Sequence, residues 1–180
     1  KLTDEKTGET YDNVPVEAGD IVLADRAYCH REAVAKVNER GGDVVVRLAL
    51  GNFPLEDRHG VAFDLLAALR KLRGRKPREW DVQFEASGRK HPARLCAIRK
   101  SRAMAERDRE RIKKQRRKKQ KVAREETIEA AGYVFVLTTV SGAELSTDQV
   151  LELYRARWQV ELSFKRLKSL LSAGHVPMYD

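Results

Sequence analysis

The stretch GDIVLADRAYCHREAVAKVNERGGDVVVRLAL, residues 19–50, decides the fold of this chain. It opens with a short apolar run at 21–24, which predicts a buried strand bounded by turn residues. The pattern over 30–40 predicts a helix, and the two glycines that follow it directly predict its end. The β-branched run at 43–50 predicts a second buried strand. Strand, helix and strand of these lengths form a βαβ unit, so we expect the two strands to be parallel.

Further elements follow this unit toward the C-terminus. In chain order we predict a short helix within 61–73, strands around 80–85 and at 93–98, a long polar helix over 102–131, a strand at 133–140 and a helix over 146–172. Ser146 starts the last helix and Gln149 stands three residues later, which is the pattern of a capping box. The chain is therefore predicted to be an α/β protein.

The chain is strongly basic. Its 180 residues include 36 Lys or Arg and 27 Asp or Glu, which gives a net charge of +9. Such an excess favours polyanionic partners, because the release of counterions drives phosphate binding; a well-solvated surface is the alternative explanation. Residues 107–124 alone hold eleven Lys or Arg and two acids. This basic run indicates either a helix face that tracks DNA phosphates, with Lys113, Arg116 and Arg117 as candidate contacts, or a solvated linker helix.

The cysteine, histidine and apolar patterns exclude several other classes of protein. Cys29 and Cys96 form no CxxC pair, and the four histidines show no metal-ligand spacing, so no zinc site is predicted. This cysteine usage leads us to expect a reduced, cytoplasmic protein. The longest apolar runs, such as 133–137, are too short to span a bilayer, so we expect no membrane-spanning segment.

Polar residues share one stripe of the predicted last helix, within ELYRARWQVELSFKRLKSLL (152–171). At 100° per residue this stripe contains Tyr154, Arg157, Glu161 and Lys168. The apolar residues form a neighbouring stripe that faces the core. A glutamate at the edge of a buried face can hold a metal ion, and nearby cations can neutralise a phosphate. An ordinary amphipathic helix, with ion pairs such as Arg157 with Glu161, explains the spacing as well.

This four-point spacing, Tyr-x2-Arg-x3-Glu-x6-Lys, resembles the signature of the insertion sequence four family of DDE transposases. A second segment, GDIVLADRAY at 19–28, is similar to the family segment in which the second catalytic aspartate ends a strand. The resemblance gives Asp25 that role. The segment KLTDEKTGET at 1–10 also looks like the family.

The resemblance implies a fold and a division of the chain. The expected fold is a ribonuclease-H-like α/β core that lacks its N-terminal strands here, with a largely β insertion subdomain and a long catalytic helix. Residues 1–50 are then part of the catalytic core, and 51–143 form the insertion subdomain with the basic helix. Residues 144–180 supply the core helix that carries the glutamate.

The resemblance also implies a chemistry. Asp25 and Glu161 are expected to be catalytic residues and metal ligands. Together with a third acid they hold two Mg²⁺ or Mn²⁺ ions, which activate the attacking oxygen and stabilise the leaving one. The implied activity is cleavage and transfer of DNA strands. The implied partners are double-stranded DNA, at transposon ends and target, and a second copy of the chain in a homodimer, within the bacterial cytoplasm and its nucleoid.

Contacts to DNA are implied as well. Tyr154, Arg157 and Lys168 resemble the family residues that contact the DNA end, mainly at its phosphates. Trp158 either stacks on a displaced base or packs as a half-buried side chain. Arg26 either orients the preceding aspartate or approaches the DNA, with a structural role as the alternative.

One element of the family pattern has no counterpart. The first catalytic aspartate should follow an earlier strand, but Asp4, Asp12 and Asp20 all stand in loop-like sequence. We therefore expect an N-terminally truncated chain that is inactive by itself. The residues leave two alternative functions open. One is another ribonuclease-H-like nuclease that lacks strand transfer, and the other is a non-catalytic, basic nucleic-acid-binding protein.

Overall fold

A computed structural model describes residues 11, 15–48, 50–51 and 53–170, and in the last helix it leaves out the side chains of 158, 160, 161, 164, 165, 167, 168 and 170. The strands are β1 (Ile21–Ala24), β2 (Asp43–Arg47), β3 (Glu56–Asp57), β4 (Arg78–Ala86), β5 (Arg89–Arg99) and β6 (Tyr133–Thr138). The helices are α1 (Arg31–Glu39), α2 (Leu65–Arg70), α3 (Arg102–Lys118), α4 (Glu125–Ala130) and α5 (Thr147–Leu170). A short 3-10 helix, Arg26–Tyr28, joins β1 to α1.

The six described strands form one mixed sheet with the order β1-β2-β6-β5-β4-β3. β1 and β2 are parallel, and the other neighbouring pairs are antiparallel. The predicted βαβ unit is therefore confirmed. β2 ends at Arg47 rather than at residue 50, because its ladder with β6 ends there. A mixed sheet with flanking helices is compatible with a ribonuclease-H-like fold, and β3, β4 and β5 extend the same sheet as β1 and β2.

Hydrophobic side chains on the two faces of the sheet form two core clusters. The larger cluster includes Val34, Val37, Val44, Val46, Leu69, Phe84, Leu95 and Leu137. The smaller cluster joins α5 to the opposite face and includes Val45, Cys96, Val136, Val140, Val150 and Tyr154. Alternation along β2 explains the division, because successive side chains of a strand point to opposite faces. Each fully buried valine or leucine stabilises the fold by roughly 1.5–3 kcal/mol.

α1 ends where the two glycines of the sequence predict its end. The helix ends at Glu39, and Gly41 then adopts a left-handed backbone with a φ of 79°. A side chain at this position would strain the backbone, so glycine suits the turn. The amide of Gly19 donates to the carbonyl of Gly41 at 2.9 Å, which closes the turn against the segment that enters β1.

The polar stretch over 102–131 forms two helices, and the prediction of a single helix is wrong. Gln120 adopts a left-handed backbone with a φ of 52° just after α3. The amide of Gln120 donates to the carbonyl of Arg117 at 2.9 Å. The amide of Lys121 donates to the carbonyl of Arg116 at 2.9 Å, which completes a Schellman motif. Like charges four residues apart repel each other along the basic run, whereas the carboxyl end of a helix stabilises cations, so the helix ends within the run.

α5 begins as predicted. The amide of Ser146 donates to Oε1 of Gln149 at 2.8 Å, and the amide of Gln149 donates to Oγ of Ser146 at 3.3 Å. These two bonds confirm the capping box. The helix then runs for 24 residues. Among the helices of the described residues, none combines the length and the apolar character that crossing a membrane requires.

Candidate functional site

Asp25 stands at the carboxyl end of β1, where the sequence predicts it. Its Oδ1 accepts a hydrogen bond from the amide of Ala27 at 2.7 Å and so caps the short 3-10 helix. The bond orients the carboxylate at the end of the strand. In open α/β sheets, ligands bind beyond the carboxyl ends of the parallel strands. Asp25 is therefore held where a bound ligand can reach it.

α5 packs across the sheet against β1, β2, β5 and β6. Val150 is fully buried and Tyr154 is only 8% exposed, so these two side chains anchor the helix. Tyr154 lies in the core, although the sequence places its stripe at the edge of the buried face. The reason is that the first turns of α5 lie over Val45 and Val136. Four side chains of α5 are exposed and form its solvent face: Arg155, Gln159, Ser163 and Arg166.

Two arginines approach the buried Tyr154. The guanidinium of Arg157 lies over the phenol ring, 5.4 Å from its centroid, in a cation–π contact. Arg26 comes directly after Asp25. Partial burial and the nearby Arg47 lower the pKa of Arg26, and Tyr154 opposes this shift. The first half of the predicted stripe therefore lies beside the end of β1.

The second half of the stripe lies partly outside the described residues. Glu161 and Lys168 belong to α5, but their side chains, like that of Trp158, are not among those described. At 1.5 Å per residue, the backbone of Glu161 is roughly 10 Å along the helix from that of Tyr154. The pairing of Glu161 with Asp25 in one site stays a prediction.

The donor atoms at this end of the sheet suit a divalent cation. Mg²⁺ and Mn²⁺ prefer carboxylate oxygens, and Asp25 presents a carboxylate at a strand end. Within the part of the chain whose side chains are described, no cluster of three or more His, Cys, Asp or Glu is placed to hold a metal ion. Glu161 is a candidate for a further ligand, and its side chain lies outside that part.

A cleft of about 940 Å³ opens at the same edge of the sheet, and Arg26, the residue after Asp25, is one of its lining residues. β1 and β2 are parallel and both end at this edge. β5 also ends there and β6 begins there, since Arg99 at the end of β5 pairs with Tyr133 at the start of β6. α3 and α4 supply other lining residues. Among the described residues, the cations that line the cleft are Arg26, Arg47, Lys100, Arg111, Arg116, Lys121 and Arg124, and the acid is Asp108. The fold thus brings part of the basic run next to Asp25.

The three candidate DNA contacts of the basic run differ in their position relative to the cleft. Arg116 lines the cleft, whereas Lys113 and Arg117 are not among its lining residues. Lys113 forms an ion pair with Glu110 at 2.8 Å instead. At 100° per residue, Arg117 lies on the side of α3 opposite to the residues that line the cleft.

A buried ion pair lies within the cleft. Nζ of Lys100 donates to Oδ2 of Asp108 at 2.6 Å and to the carbonyl of Ala131 at 2.9 Å, and the lysine side chain is 5% exposed. Burial lowers the pKa of Lys100, Asp108 opposes the shift, and Arg47 and Arg111 lower it further. The cleft therefore concentrates positive charge even around its ion pair.

A buried arginine holds the connection between β6 and α5. Arg94 on β5 is 7% exposed, and its Nη1 donates to the carbonyl of Val140 at 3.0 Å and to that of Leu145 at 2.9 Å. Its Nη2 donates to the carboxylate of Glu79 on β4. The hydroxyl of Thr147 donates to the same carboxylate. This Arg94 network ties the first turn of α5 to the sheet and so positions the helix that carries the stripe.

We expect Glu79 to make the stability of the chain depend on pH in the acid range. Hydrogen bonds from Thr147 and Arg94 lower the pKa of Glu79 below its ordinary value of 4.5. The stabilisation by such a carboxylate is complete above the ordinary pKa, and it is lost as the pH falls through the lowered pKa of the folded state. The free energy of unfolding, measured by urea titration, should therefore decrease below about pH 4.5. The decrease should be smaller in the Glu79→Gln variant.

The exposed Glu85 on the same strand supplies the matched control. The Glu85→Gln variant should keep the acid dependence of the unmodified chain. The wild type and Glu79→Gln should also become more alike in stability at low pH, because Glu79 is then protonated in both states of the wild type. An unchanged acid dependence in Glu79→Gln would contradict the role assigned to this carboxylate.

The strand end with Asp25 and the helix with the four-residue stripe both lie within a region that one protein family matches. The transposase DDE domain family matches residues 4–180 of the chain. The chain belongs to this family. The resemblance of its two motifs to DDE transposases of the insertion sequence four type is thereby confirmed. Membership of the DDE family implies dependence on divalent metal ions in general.

Relatives of this DDE domain are insertion-sequence transposases. The putative transposase InsL of insertion sequence element IS186A, from Escherichia coli K12, is 37% identical over 177 residues, which cover 95% of the chain and 48% of that protein. The transposase of IS421 from Escherichia coli is also 37% identical over 177 residues. The transposase of IS231F from Bacillus thuringiensis subsp. israelensis is 23% identical over 172 residues, 87% of the chain and 36% of that protein. The chain spans about half the length, 48%, of the first two relatives.

The sequence did not predict the basic cleft or the Arg94 network of this DDE domain. The lining of the cleft comes from segments far apart in the chain, which no local pattern connects. For the Arg94 network one signal was available. Arg94 stands inside the apolar strand predicted at 93–98, and an arginine in such a place needs buried partners.

Proposed function

We propose that this DDE domain catalyses divalent-metal-dependent cleavage and transfer of DNA strands at transposon ends. Asp25 and Glu161 act as catalytic acids and metal ligands. The observation that carries the proposal is the position of Asp25 at the carboxyl end of β1, beside the helix that carries the four-residue stripe. Membership of the transposase DDE family supports it.

The residues of the chain supply binding and orientation in this proposal. Together with a third acid, Asp25 and Glu161 would hold two Mg²⁺ or Mn²⁺ ions through their carboxylate oxygens. When bound, such ions activate an attacking water or 3′-hydroxyl and stabilise the leaving oxygen. The hydrogen bond from the amide of Ala27 keeps the Asp25 carboxylate in one orientation. Burial of Val150 and Tyr154 keeps α5, and with it Glu161, in place over the sheet.

Side chains around these acids are proposed to contact the DNA. Arg157 and Lys168 bind phosphates near the cut, and Arg26 approaches the DNA from the end of β1. Tyr154 supports Arg157 through the cation–π contact and, as a position of the family stripe, contributes to the contact with the DNA end. Trp158 stacks on a displaced base. These roles follow from the family resemblance of the stripe and of the segment around Asp25.

Of the three candidate phosphate contacts in the basic run, Arg116 binds DNA in this proposal because it lines the cleft, whereas Lys113 and Arg117 lie outside it. Double-stranded DNA, at transposon ends and at the target, is the substrate. The protein acts as a homodimer in its DNA complex, in the bacterial cytoplasm. Its net charge of +9 favours such a polyanionic partner.

The proposal extends to the division of the chain. Residues 1–50 belong to a ribonuclease-H-like catalytic core, and 144–180 supply the core helix with Glu161. Residues 51–143 form a largely β insertion subdomain with the basic helix. The strands β3, β4, β5 and β6 fall within that segment, which supports its β character.

A cleavage assay tests the proposed function. It uses a protein of full family length that carries this chain, with duplexes that end in the terminal sequence of its element and matched duplexes with scrambled ends. We expect strand cleavage at the element end only in the presence of Mg²⁺ or Mn²⁺. We also expect the cut 3′ end to join a second duplex.

The assay separates the alternatives. Metal-dependent cleavage without any joining would assign the protein to other ribonuclease-H-like nucleases. Binding of the duplex without cleavage, with either metal ion supplied, would assign a non-catalytic nucleic-acid-binding protein instead.

A further inference from the structure

Cations from several segments of the chain meet in the basic cleft, which we define by Arg26, Arg47, Arg111, Arg116, Lys121 and Arg124. Arg26 follows β1, and Arg47 is the last residue of β2. Arg111 and Arg116 lie on α3, and Lys121 and Arg124 lie in the connection between α3 and α4. Sheet pairing brings these segments together, because β6 follows α4 in the chain and pairs with β2. The basic cleft therefore forms only in the folded chain, next to Asp25.

Few cations of the basic cleft take part in ion pairs among the described residues. Within the described part of the chain, five of them form no ion pair: Arg26, Arg47, Arg116, Lys121 and Arg124. The acid in the cleft, Asp108, is already paired with Lys100 at 2.6 Å and with Arg111 at 3.0 Å. A bound polyanion would relieve the repulsion among these like charges, and the release of its counterions would add to the affinity.

Arg26 links the basic cleft to the proposed catalytic site. It follows Asp25 directly and lines the cleft together with Arg47 and Arg111. Arg111 belongs to α3, so the basic helix and the segment after β1 border the same cleft. The cations of the cleft therefore begin at the residue after Asp25.

The lining of the cleft indicates which form of DNA fits. One aromatic residue, Phe135, is among the described lining residues, and its side chain is only 6% exposed. Sites for single strands combine cations with exposed aromatic rings on which bases stack. The basic cleft offers cations without such a platform, so it suits phosphates rather than unpaired bases. A duplex presents its phosphates and keeps its bases stacked.

We propose that the basic cleft binds the sugar-phosphate backbone of the duplex DNA that flanks the cleavage point. This inference rests on the proposed function, because it takes Asp25 as the place of cleavage. Binding through phosphates positions the duplex without reading its sequence. The residues of the basic run then differ according to the side of α3 on which they lie. Arg116 contacts the DNA from within the cleft, whereas Lys113 and Arg117 lie outside it and contribute little to the affinity for DNA.

Two double variants of equal charge test this division. Arg116→Gln with Arg124→Gln removes two cations from the cleft. Lys113→Gln with Arg117→Gln removes two cations from the same run outside it. All four side chains are exposed, so both variants should keep the fold, and thermal melting followed by circular dichroism checks this.

The readout is the affinity of the chain for a fluorescent duplex of arbitrary sequence, measured by anisotropy at several salt concentrations. The cleft variant should lose roughly 10–100-fold in affinity near 0.1 M salt, since each lost phosphate contact forgoes the release of about 0.9 counterions. The slope of log affinity against log salt should fall in magnitude by about 1.8 for the two contacts. The outer variant should stay within about threefold of the unmodified chain.

Each other outcome has a definite meaning. Equal losses in both variants, or an unchanged affinity in the cleft variant, would overturn the cleft as the DNA path and leave the proposed function standing. Tighter binding of single strands than of the duplex by the unmodified chain would overturn the assignment to duplex DNA. Failure of the unmodified chain to bind either form of DNA would overturn this inference, whereas the cleavage assay with the protein of full family length would still decide the proposed function.

Discussion

Replacing Glu161 by Gln, in a protein of full family length that carries this chain, is expected to lower the rate of metal-dependent strand cleavage by about 10³-fold or more. Glutamine keeps the size of the side chain but removes the anionic oxygen that suits a divalent ion. A metal ion contributes several kcal/mol to stabilising the transition state, and a loss of about 4 kcal/mol corresponds to about 10³-fold in rate. Affinity for duplex DNA should stay within about threefold, because no cation is lost.

The same experiment can test whether Asp25 and Glu161 belong to one site. Asp25→Asn should cause a loss of similar size. The double variant should then be hardly slower than either single variant, because residues that act as one unit show strongly non-additive effects on rate. Two losses that multiply would place the acids in separate functions. Cleavage would be followed with end-labelled duplexes under single-turnover conditions.

Glu152 supplies the matched control for these variants, because it is an exposed glutamate on the same helix. Glu152→Gln should leave both cleavage and DNA affinity unchanged. If Glu161→Gln cleaved DNA normally, or lost cleavage and binding in parallel, the role of Glu161 as a metal ligand would be wrong.

Replacing Arg94 by Ala is expected to lower the free energy of unfolding by about 2–4 kcal/mol. The side chain is 7% exposed and donates to two backbone carbonyls and to Glu79. Its removal leaves buried acceptors without a donor, and each such loss is costly because water cannot replace the donor. Glu79 keeps the hydrogen bond from Thr147 and some access to water, so the loss should stay below that of a fully buried pair.

The effect should be concentrated at the start of α5. The carbonyls of Val140 and Leu145 lie on either side of the turn that leads into the helix. Without Arg94 we expect faster hydrogen exchange of the amides in the first turn of α5, measured by mass spectrometry, than in β2. The Arg94→Lys variant should restore only part of the stability, because an ammonium group cannot span the same acceptors as the planar guanidinium.

Arg99, near the end of the same strand and exposed, provides the control. Arg99→Ala should change the free energy of unfolding by no more than about 0.5 kcal/mol in urea titration. A loss of that small size in Arg94→Ala, or an equal acceleration of hydrogen exchange throughout the sheet, would contradict a local role in positioning α5.

Local sequence patterns were sufficient for much of the secondary structure. The apolar run at 21–24 becomes β1, the stop at Gly41 ends α1, and Ser146 with Gln149 caps α5. Each feature depends on residues only a few positions apart, so the sequence carries the whole cause. The basic run shows the limit of this reasoning. Whether its helix continues or ends depends on a small balance between charge repulsion and capping hydrogen bonds, which the periodicity does not report.

The sequence also located part of the candidate site. It placed Asp25 at a strand end, and it placed Tyr154, Arg157 and Glu161 on one helix, because strand ends and helical stripes are local features. The burial of Tyr154 could not be predicted from the stripe. It depends on where α5 lies on the sheet, and contacts with Val45 and Val136 decide that.

By itself, the sequence of this chain determined the elements, the family motifs and the positive charge. Only the tertiary structure decided which cations gather beside Asp25 and which turn Arg94 holds. Arg47 and Arg116 share a cleft because β2 pairs with β6, and Arg94 reaches Leu145 because β5 pairs with β6 as well. Contacts between such distant residues have to offset the entropy of closing long loops, and they do so only cooperatively, once the whole sheet has formed.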